Sequence, residues 1–216
     1  MEQAAPATPR PHDLLWLADA GALMPLAPQP LPSWASADWI MQAPVVVRRQ
    51  KLDNAALLPV GLRGRERNQR LAACVPLAAV VRCIRPEMLA QLSIALHGIA
   101  ALETLTASRP LLDDLGLAWG PTGGTGFMLA TGLPVLHAQS DLDLVLRAPS
   151  PLDRGQTSLL SKLLREAACR IDLQIDTGFG GFSFAEWQAG RGRVLLKTDT
   201  GPVLTRDPWQ AEMQAA

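Results

Sequence analysis

Two aspartates one residue apart, Asp141 and Asp143, are the strongest candidates for chemistry in this chain. They belong to the run SDLDLVL at residues 140–146, which has the composition of a β-strand. In an extended strand the side chains at i and i+2 share a face, so both carboxylates project together. Two like charges on one face repel each other unless a cation lies between them. Paired carboxylate oxygens suit Mg²⁺ or Mn²⁺ rather than zinc.

A glycine-rich segment, WGPTGGTG at residues 119–126, lies shortly before the two aspartates. Glycines such as Gly123 and Gly124 let backbone N–H groups approach a phosphate closely. The segment is not a Walker loop, because no Gly-Lys-Ser/Thr follows it. A metal site beside a phosphate site indicates phosphoryl or nucleotidyl transfer.

Basic residues cluster in the first half of the chain. Residues 48–85 contain nine Lys or Arg and two acids, a net charge of plus seven within a chain of net charge zero. A solvated surface is the ordinary explanation for such a run. Four closely spaced arginines favour a polyphosphate or an acidic partner instead: Arg63, Arg65, Arg67 and Arg70. Aromatic residues are not interleaved with them, so nucleic-acid binding is not expected.

Composition narrows the class of protein. The 216 residues are 48% hydrophobic, which is ample for a core. Three cysteines without a close-spaced pair argue against a zinc site and a disulfide scaffold. The first fifteen residues lack a continuous apolar segment, and the longest apolar run is too short to span a bilayer. We therefore expect a cytoplasmic protein that does not engage membranes.

The elements that must position these residues fall into two parts. Strand-like segments near residues 45–48 and 58–63 predict a small β-rich N-terminal lobe over residues 1–84, opening with a short helix or turn at 12–17. Residues 85–216 predict a second domain, which begins with a helix reaching residue 99 because its apolar positions keep the helical period. In that domain a strand, the glycine turn, the Asp141–Asp143 strand, a helix near 157–169 and an alternating strand at 170–176 follow in order. The fold class is α+β.

This order of parts resembles the polymerase-β-like nucleotidyltransferase fold. The resemblance rests on Gly123-Gly124, Asp141-x-Asp143 and the segment RIDL at 170–173. It implies that Asp141 and Asp143 hold two divalent ions and that a third carboxylate, Asp172, joins one of them. Asp176 is the reserve candidate for the third carboxylate. A solvated strand face is the alternative explanation for the aspartate pair.

A closer resemblance, to the phosphoribosyl-dephospho-CoA transferases that act on malonate decarboxylase, covers nearly the whole chain. It is carried by motifs spread from one end to the other, at residues 10–16, 45–49, 59–64, 119–132, 140–144, 201–202 and 207–209. One position departs from the family pattern, because Gly124 stands where a serine hydroxyl commonly meets a phosphate. That departure leaves Thr125 or backbone amides to make the contact.

The resemblance implies a reaction and its partners. The serine hydroxyl of the malonate decarboxylase acyl carrier protein attacks the α-phosphate of 2′-(5″-triphosphoribosyl)-3′-dephospho-CoA, and pyrophosphate leaves. Asp141, Asp143 and Asp172 serve as Mg²⁺ or Mn²⁺ ligands, Gly123, Gly124 and Thr125 meet phosphate, and the four arginines bind phosphates or the acidic carrier. A related nucleotidyltransferase with another acceptor and a catalytically silent nucleotide-binding module are the alternatives.

Overall fold

The computed structural model describes residues 8–94, 96–190 and 192–210. The chain forms two compact units, Met1–Arg85 and Pro86–Ala216. Each unit contains one six-stranded sheet, and helices accompany both sheets. The mixed α+β class expected from the sequence is confirmed. None of the helices in the described part of the chain is both long and apolar enough to cross a membrane.

The N-terminal unit is built on an antiparallel sheet with the strand order β2-β5-β4-β3-β1-β6. Its longest strands pair over seven residues each, with Gly61 opposite Ala72 near the middle. One face of these strands supplies the core, since buried and half-buried residues alternate along β4. The elements are β1 (Leu14–Leu17), β2 (Met24–Pro25), α1 (Ala37–Gln42), β3 (Val45–Val47), β4 (Leu57–Arg63), β5 (Arg70–Pro76) and β6 (Val80–Ile84).

The helix or turn expected at residues 12–17 is wrong, because Leu14–Leu17 forms strand β1. This strand lies between β3 and β6 and pairs with both. Leu14, Leu15 and Leu17 are all buried. Pairing on both edges satisfies the backbone along the segment, and this tertiary context overrides the weak local signal.

The C-terminal unit is built on a second sheet, with the strand order β12-β11-β10-β9-β8-β7. Only β8 and β9 run parallel among the described pairs, and helix α5 makes the crossover that parallel pairing requires. The elements are α2 (Pro86–Leu89), α3 (Ala100–Asp113), β7 (Ala118–Pro121), α4 (Gly123–Thr131), β8 (Leu142–Arg147), α5 (Arg154–Glu166), β9 (Ile171–Asp176), β10 (Gly181–Ser183), α6 (Phe184–Gln188), β11 (Val194–Thr198) and β12 (Gly201–Thr205).

The long helix expected from residue 85 to residue 99 is also wrong. Helix α2 ends at Leu89, and the next helix, α3, begins only at Ala100. Met88, Leu92 and Leu96 keep the helical spacing in the sequence but remain exposed. Because these side chains gain no burial, periodicity alone does not stabilise a helix here.

The core of the C-terminal unit lies on one face of β8 and β9. Apolar side chains from both strands are buried there and pack with residues of α3 and α5: Leu142, Leu144, Leu146, Ile171, Leu173 and Ile175. Helix α5 begins with a capping box, in which Asp153 accepts from Gln156 N and Gln156 reaches back to Asp153 N. The alternation of the strands places every second side chain on the opposite face, which is polar apart from the buried Val145 and is called the polar face below.

Candidate functional site

Asp143 and Asp172 lie side by side on the polar face of β8 and β9. The two residues are direct register partners in the parallel pair, so their side chains leave the sheet on the same face. Neighbouring strands are roughly 4.8 Å apart. Both residues are half-buried, whereas Leu142 and Ile171 beside them are buried. The sheet therefore brings together two carboxylates that are 29 positions apart in the sequence.

Asp141 lies just outside the strand. Strand β8 begins at Leu142, whose N–H donates to the carbonyl oxygen of Arg170 over 2.9 Å. Asp141 itself is exposed. The structure thus places it at the entrance of β8, one residue before the regular pairing that aligns Asp143 with Asp172.

The Asp143 carboxylate packs against the first residue of helix α4. A Cβ atom built on Gly123 would overlap this carboxylate, with the Asp143 Cγ only 2.6 Å away. Gly123 also has a φ of 55°, which side chains rarely tolerate. The link continues in the backbone, where Thr122 N–H donates to the Asp143 carbonyl oxygen over 2.9 Å. Only glycine lets the start of α4 approach the carboxylate this closely.

The first turn of helix α4 has the features that suit a helix end to an anion. The first turn of a helix carries N–H groups without intrahelical partners and the positive end of the helix dipole. Gly123 and Gly124 are the first two residues of this nine-residue helix. Their predicted contact with phosphate is therefore one that backbone N–H groups can make, beside the Asp143 carboxylate.

Thr125 does not present its hydroxyl to that surface. The residue is fully buried, and its Oγ1 has no hydrogen-bond partner within the described structure. We expected that the Thr125 hydroxyl could replace the missing serine hydroxyl, but the side chain of Thr125 points into the interior. The glycine turn offers main-chain donors in place of a hydroxyl.

The far end of the same polar face holds an ion cluster. Arg147 is the register partner of Asp176, and its Nη1 contacts the Asp176 Oδ2. Its Nε donates to the Glu87 Oε1 over 2.9 Å, which ties α2 to the sheet. Arg147 is buried, with 8% of its side chain exposed. Asp176, the reserve candidate for a third carboxylate, is thereby engaged with a guanidinium, and Asp172 is the acid that faces Asp143.

Sequence reasoning missed Arg147 and Glu87. A usable signal existed for Arg147, which follows Asp143 by four positions on a strand and so shares its face. No sequence signal linked Glu87 to either residue, because it lies 60 positions away and meets Arg147 only through the packing of α2.

The four arginines predicted to bind anions lie in the N-terminal unit. Arg63 and Arg70 are register partners at the end of the β4–β5 pair, and Arg65 and Arg67 lie in the turn between them. Arg63 is buried, while the other three are exposed. Burial, and then the positive charge of Arg67, lower the pKa of Arg70. Repulsion between these guanidinium groups favours an anion nearby.

The donor atoms at Asp143 and Asp172 fit a hard divalent cation. Within the described ranges, no group of three or more His, Cys, Asp or Glu side chains is arranged to hold a metal ion. Mg²⁺, however, is commonly held by only one or two carboxylates, with water and substrate phosphates filling the remaining positions. Two neighbouring carboxylates beside a helix N-terminus meet that requirement.

Comparison with known proteins gives a consistent family match. The family model described as "Phosphoribosyl-dephospho-CoA transferase MdcG C-terminal domain" matches residues 88–208, and that of the N-terminal domain matches residues 10–86. The chain is 46% identical over 213 residues to the phosphoribosyl-dephospho-CoA transferase of Pseudomonas putida (strain GB-1), covering 96% of this chain and 98% of the relative.

Two further relatives carry the same name. The protein from Pseudomonas aeruginosa is 46% identical over 211 residues, or 97% of this chain and 98% of the relative. The protein from Klebsiella pneumoniae is 44% identical over 208 residues, or 95% and 98%. No solved structure matches the chain.

Proposed function

This chain belongs to the phosphoribosyl-dephospho-CoA transferase family, and we propose that it attaches the 2′-(5″-phosphoribosyl)-3′-dephospho-CoA group to a serine of the malonate decarboxylase acyl carrier protein. The donor in this proposal is 2′-(5″-triphosphoribosyl)-3′-dephospho-CoA. The serine oxygen forms a bond to the α-phosphorus, the bond from that phosphorus to the β-phosphate oxygen breaks, and pyrophosphate leaves. The serine proton passes to a carboxylate or to solvent.

One observation carries the proposal. Asp143 lies opposite Asp172 on the sheet and also packs against Gly123 at the start of α4. Two acids and an anion-binding helix end therefore converge on one spot, as phosphoryl transfer requires. Such reactions depend mainly on positioning and on the stabilisation of charge.

Each residue of the site would have a separate role in the reaction. The N–H groups of Gly123 and Gly124 would hold a phosphate oxygen and orient the α-phosphorus. Asp172 would accept the serine proton at a carboxylate oxygen, while Asp143, fixed against α4, would keep the geometry. Asp143 and Asp172, joined by Asp141 at the strand entrance, would also hold Mg²⁺ or Mn²⁺. When bound, such an ion supplies positive charge that offsets the charge of the phosphates.

The exposed arginines would bind anionic parts of the substrates. Arg65, Arg67 and Arg70 are accessible, whereas the burial of Arg63 suits it to supporting the turn. We further propose that the enzyme works in the cytoplasm, where the thiols Cys74, Cys83 and Cys169, none of them in a disulfide, would stay reduced.

Mass spectrometry of the carrier protein tests the function. Incubation with this protein, the triphosphoribosyl donor and Mg²⁺ should add the mass of the prosthetic group to one serine. Asp143→Asn should slow this modification about 1,000-fold, because it removes a carboxylate that would hold the metal ion, and the loss of one electrostatic contact of that ion to the transferring phosphoryl group costs that order of rate. The exposed acid Asp53 supplies the matched control, and Asp53→Asn should react at the wild-type rate.

Other outcomes separate the alternatives. Modification of a different acceptor would identify a related nucleotidyltransferase, and donor binding without any transfer would identify a silent binding module. Calorimetric titration with Mg²⁺ provides a readout besides activity. Wild-type heat of binding that is unchanged in Asp143→Asn would exclude this carboxylate as a metal ligand.

A further inference from the structure

A polar cavity in the N-terminal unit is separate from the Asp143–Asp172 site and shares only Arg65 with the residues discussed above. It lies between helix α1 and the turn that joins β4 to β5, and its volume is about 570 Å³. We name it the tryptophan pocket after two of its lining residues. Six of the side chains that line it are Trp34, Asp38, Trp39, Gln42, Arg65 and Gln69.

The indole of Trp39 is a fixed wall of this pocket. The residue is buried, and its ring Nε1–H donates to the carbonyl oxygen of Arg63 over 2.7 Å. Its backbone N–H donates to the Ser36 Oγ over 3.3 Å, which caps α1. Because Trp39 is buried and the polar edge of its ring is bonded, the indole is a fixed support for the side chains that pack on it.

Arg65 adds a cation to this wall. Its guanidinium carbon lies 5.0 Å from the centre of the Trp39 ring, a stacking distance at which the charge and the ring attract each other. A planar guanidinium can stack on a ring and still donate to a phosphate from its edge. Arg67 in the same turn and Arg70 at the start of β5 add further positive charge to this part of the sheet.

Hydrogen-bonding groups with defined directions complete the lining. Asp38 and Gln42 are four positions apart on α1 and so share one side of the helix. Gln69 is oriented by a bond from Glu66 N–H to its Oε1, over 3.1 Å, which directs its amide NH₂ elsewhere. A carboxylate acceptor and amide donors match the edge of a purine, which carries an exocyclic amine and ring-nitrogen acceptors.

We propose that the tryptophan pocket binds the adenine end of the dephospho-CoA donor, with Arg65 between the base and its phosphate. The inference rests on the proposed function, since that reaction brings an adenine nucleotide to the protein. An acidic protein segment fits less well, because Asp38 and Glu66 both line the pocket beside Arg65. These acids would repel an acidic chain but accept from the amine of adenine.

Binding to the full-length protein tests the proposal. Titration calorimetry should show that AMP and 3′-dephospho-CoA bind, whereas 4′-phosphopantetheine, which lacks the base, does not compete. Arg65→Ala should weaken AMP binding about 10-fold or more. The chain offers a matched control, because Arg82 stacks on Trp16 at 4.7 Å in the same unit but does not line the pocket. Arg82→Ala should bind AMP like the wild type.

A second variant tests recognition of the base. Asp38→Asn should reduce the preference for AMP over IMP, which lacks the exocyclic amine, while the exposed control Asp53→Asn keeps it. Equal affinities in Arg65→Ala and wild type, equal losses in Arg65→Ala and Arg82→Ala, or loss of carrier-protein binding alone would overturn the proposal.

Failure of this inference is distinguishable from failure of the proposed function. Group transfer by the wild type together with AMP binding that ignores Arg65 and Asp38 would remove the pocket from the scheme and leave the function standing. AMP binding that depends on both residues, without transfer to the carrier protein, would support the pocket and contradict the proposed function. Asp143→Asn should keep AMP binding while it loses transfer.

Discussion

The two ends of the polar face of β8 and β9 carry different pairs of charged residues at equivalent positions. At one end Asp143 lies opposite Asp172, and at the other Arg147 lies opposite Asp176. The strands, the face and the parallel pairing are the same, and the two positions are four residues apart. Only the residue types differ.

The difference assigns different tasks to the two ends. A buried guanidinium between Asp176 and Glu87 holds α2 on the sheet and compensates its acids within the protein. Asp143 and Asp172 offer carboxylate oxygens side by side, which suits a cation that arrives with substrate. One end therefore serves the fold, and the other is suited to chemistry.

The largest expected effect is the loss of transfer in Asp172→Asn. The change removes a proton acceptor and an oxygen ligand, and we expect the rate to fall about 1,000-fold. The free energy of unfolding should stay close to that of the wild type, because Asn has nearly the same size as Asp and Asp172 is only half-buried. Carrier modification followed by mass spectrometry, together with urea unfolding, measures both quantities. A variant that transfers at the wild-type rate would contradict the assignment of this end to chemistry.

Arg147→Met should have the opposite effect, a loss of stability with little loss of transfer activity. It leaves Glu87 and Asp176 half-buried without their cation, and breaking a buried pair in this way costs about 3–5 kcal/mol. Urea unfolding should show the loss directly. Transfer by the protein that remains folded should be affected much less than in Asp172→Asn. If instead Arg147→Met leaves stability unchanged, the ion cluster does not secure α2.

Gly123→Ala tests the close approach of α4 to Asp143, the neighbour of Asp172 on the sheet. The new Cβ would collide with the Asp143 carboxylate, so we expect transfer to fall about 10-fold to 100-fold, as when a partner that orients a metal ligand is lost. Gly132 ends the same helix with a φ of 73°, but no atom lies within 4 Å of its Cβ position. Gly132→Ala therefore carries the backbone strain without the collision. Similar activity in both variants would show that strain alone accounts for the effect.

The strands that carry Asp143 and Asp172 could be predicted from the sequence because their patterns are local, whereas the role of Asp172 beside the earlier aspartates was implied by the resemblance to a nucleotidyltransferase fold. The alternation at residues 170–176 defines β9 and its polar face, and parallel pairing then aligns Asp172 with Asp143. Asp141 was predicted to lie beside Asp143 on the same strand face, but strand β8 starts one residue after Asp141. That boundary depends on pairing with the neighbouring strand, which a single segment does not encode.

Features set by tertiary packing could not be predicted in this way. Helix α3 contains Pro110, which conceals its helical pattern, and the exposed periodic residues before it predicted a helix in the wrong place. The burial of Thr125 follows from how α4 packs, and Glu87 meets Arg147 only through the docking of α2. Each of these depends on contacts between segments that are distant in the sequence.

A buried acid in the N-terminal unit extends the comparison and gives the smallest effect. Asp13 in the N-terminal unit is fully buried, and the Sγ of Cys83 donates to its Oδ2 over 3.8 Å. Burial, and then the negative charge of Asp13, raise the pKa of Cys83 from 9.0 to about 11. Asp13 thus accepts from a thiol as well as from the backbone N–H of Arg10, which donates to the same Oδ2 over 2.9 Å.

The sign of the pH dependence follows from that pairing. Because the folded state favours the neutral thiol, the contribution of Cys83 to stability is complete below about pH 9 and disappears as the pH rises through about 11. Alkylation by iodoacetamide, mapped to Cys83 by mass spectrometry, should reach half its maximal rate near pH 11 in the folded protein. The urea-unfolded chain is the control, and its midpoint should lie near 9. Coincident midpoints would show that neither burial nor Asp13 raises the pKa of the Cys83 thiol.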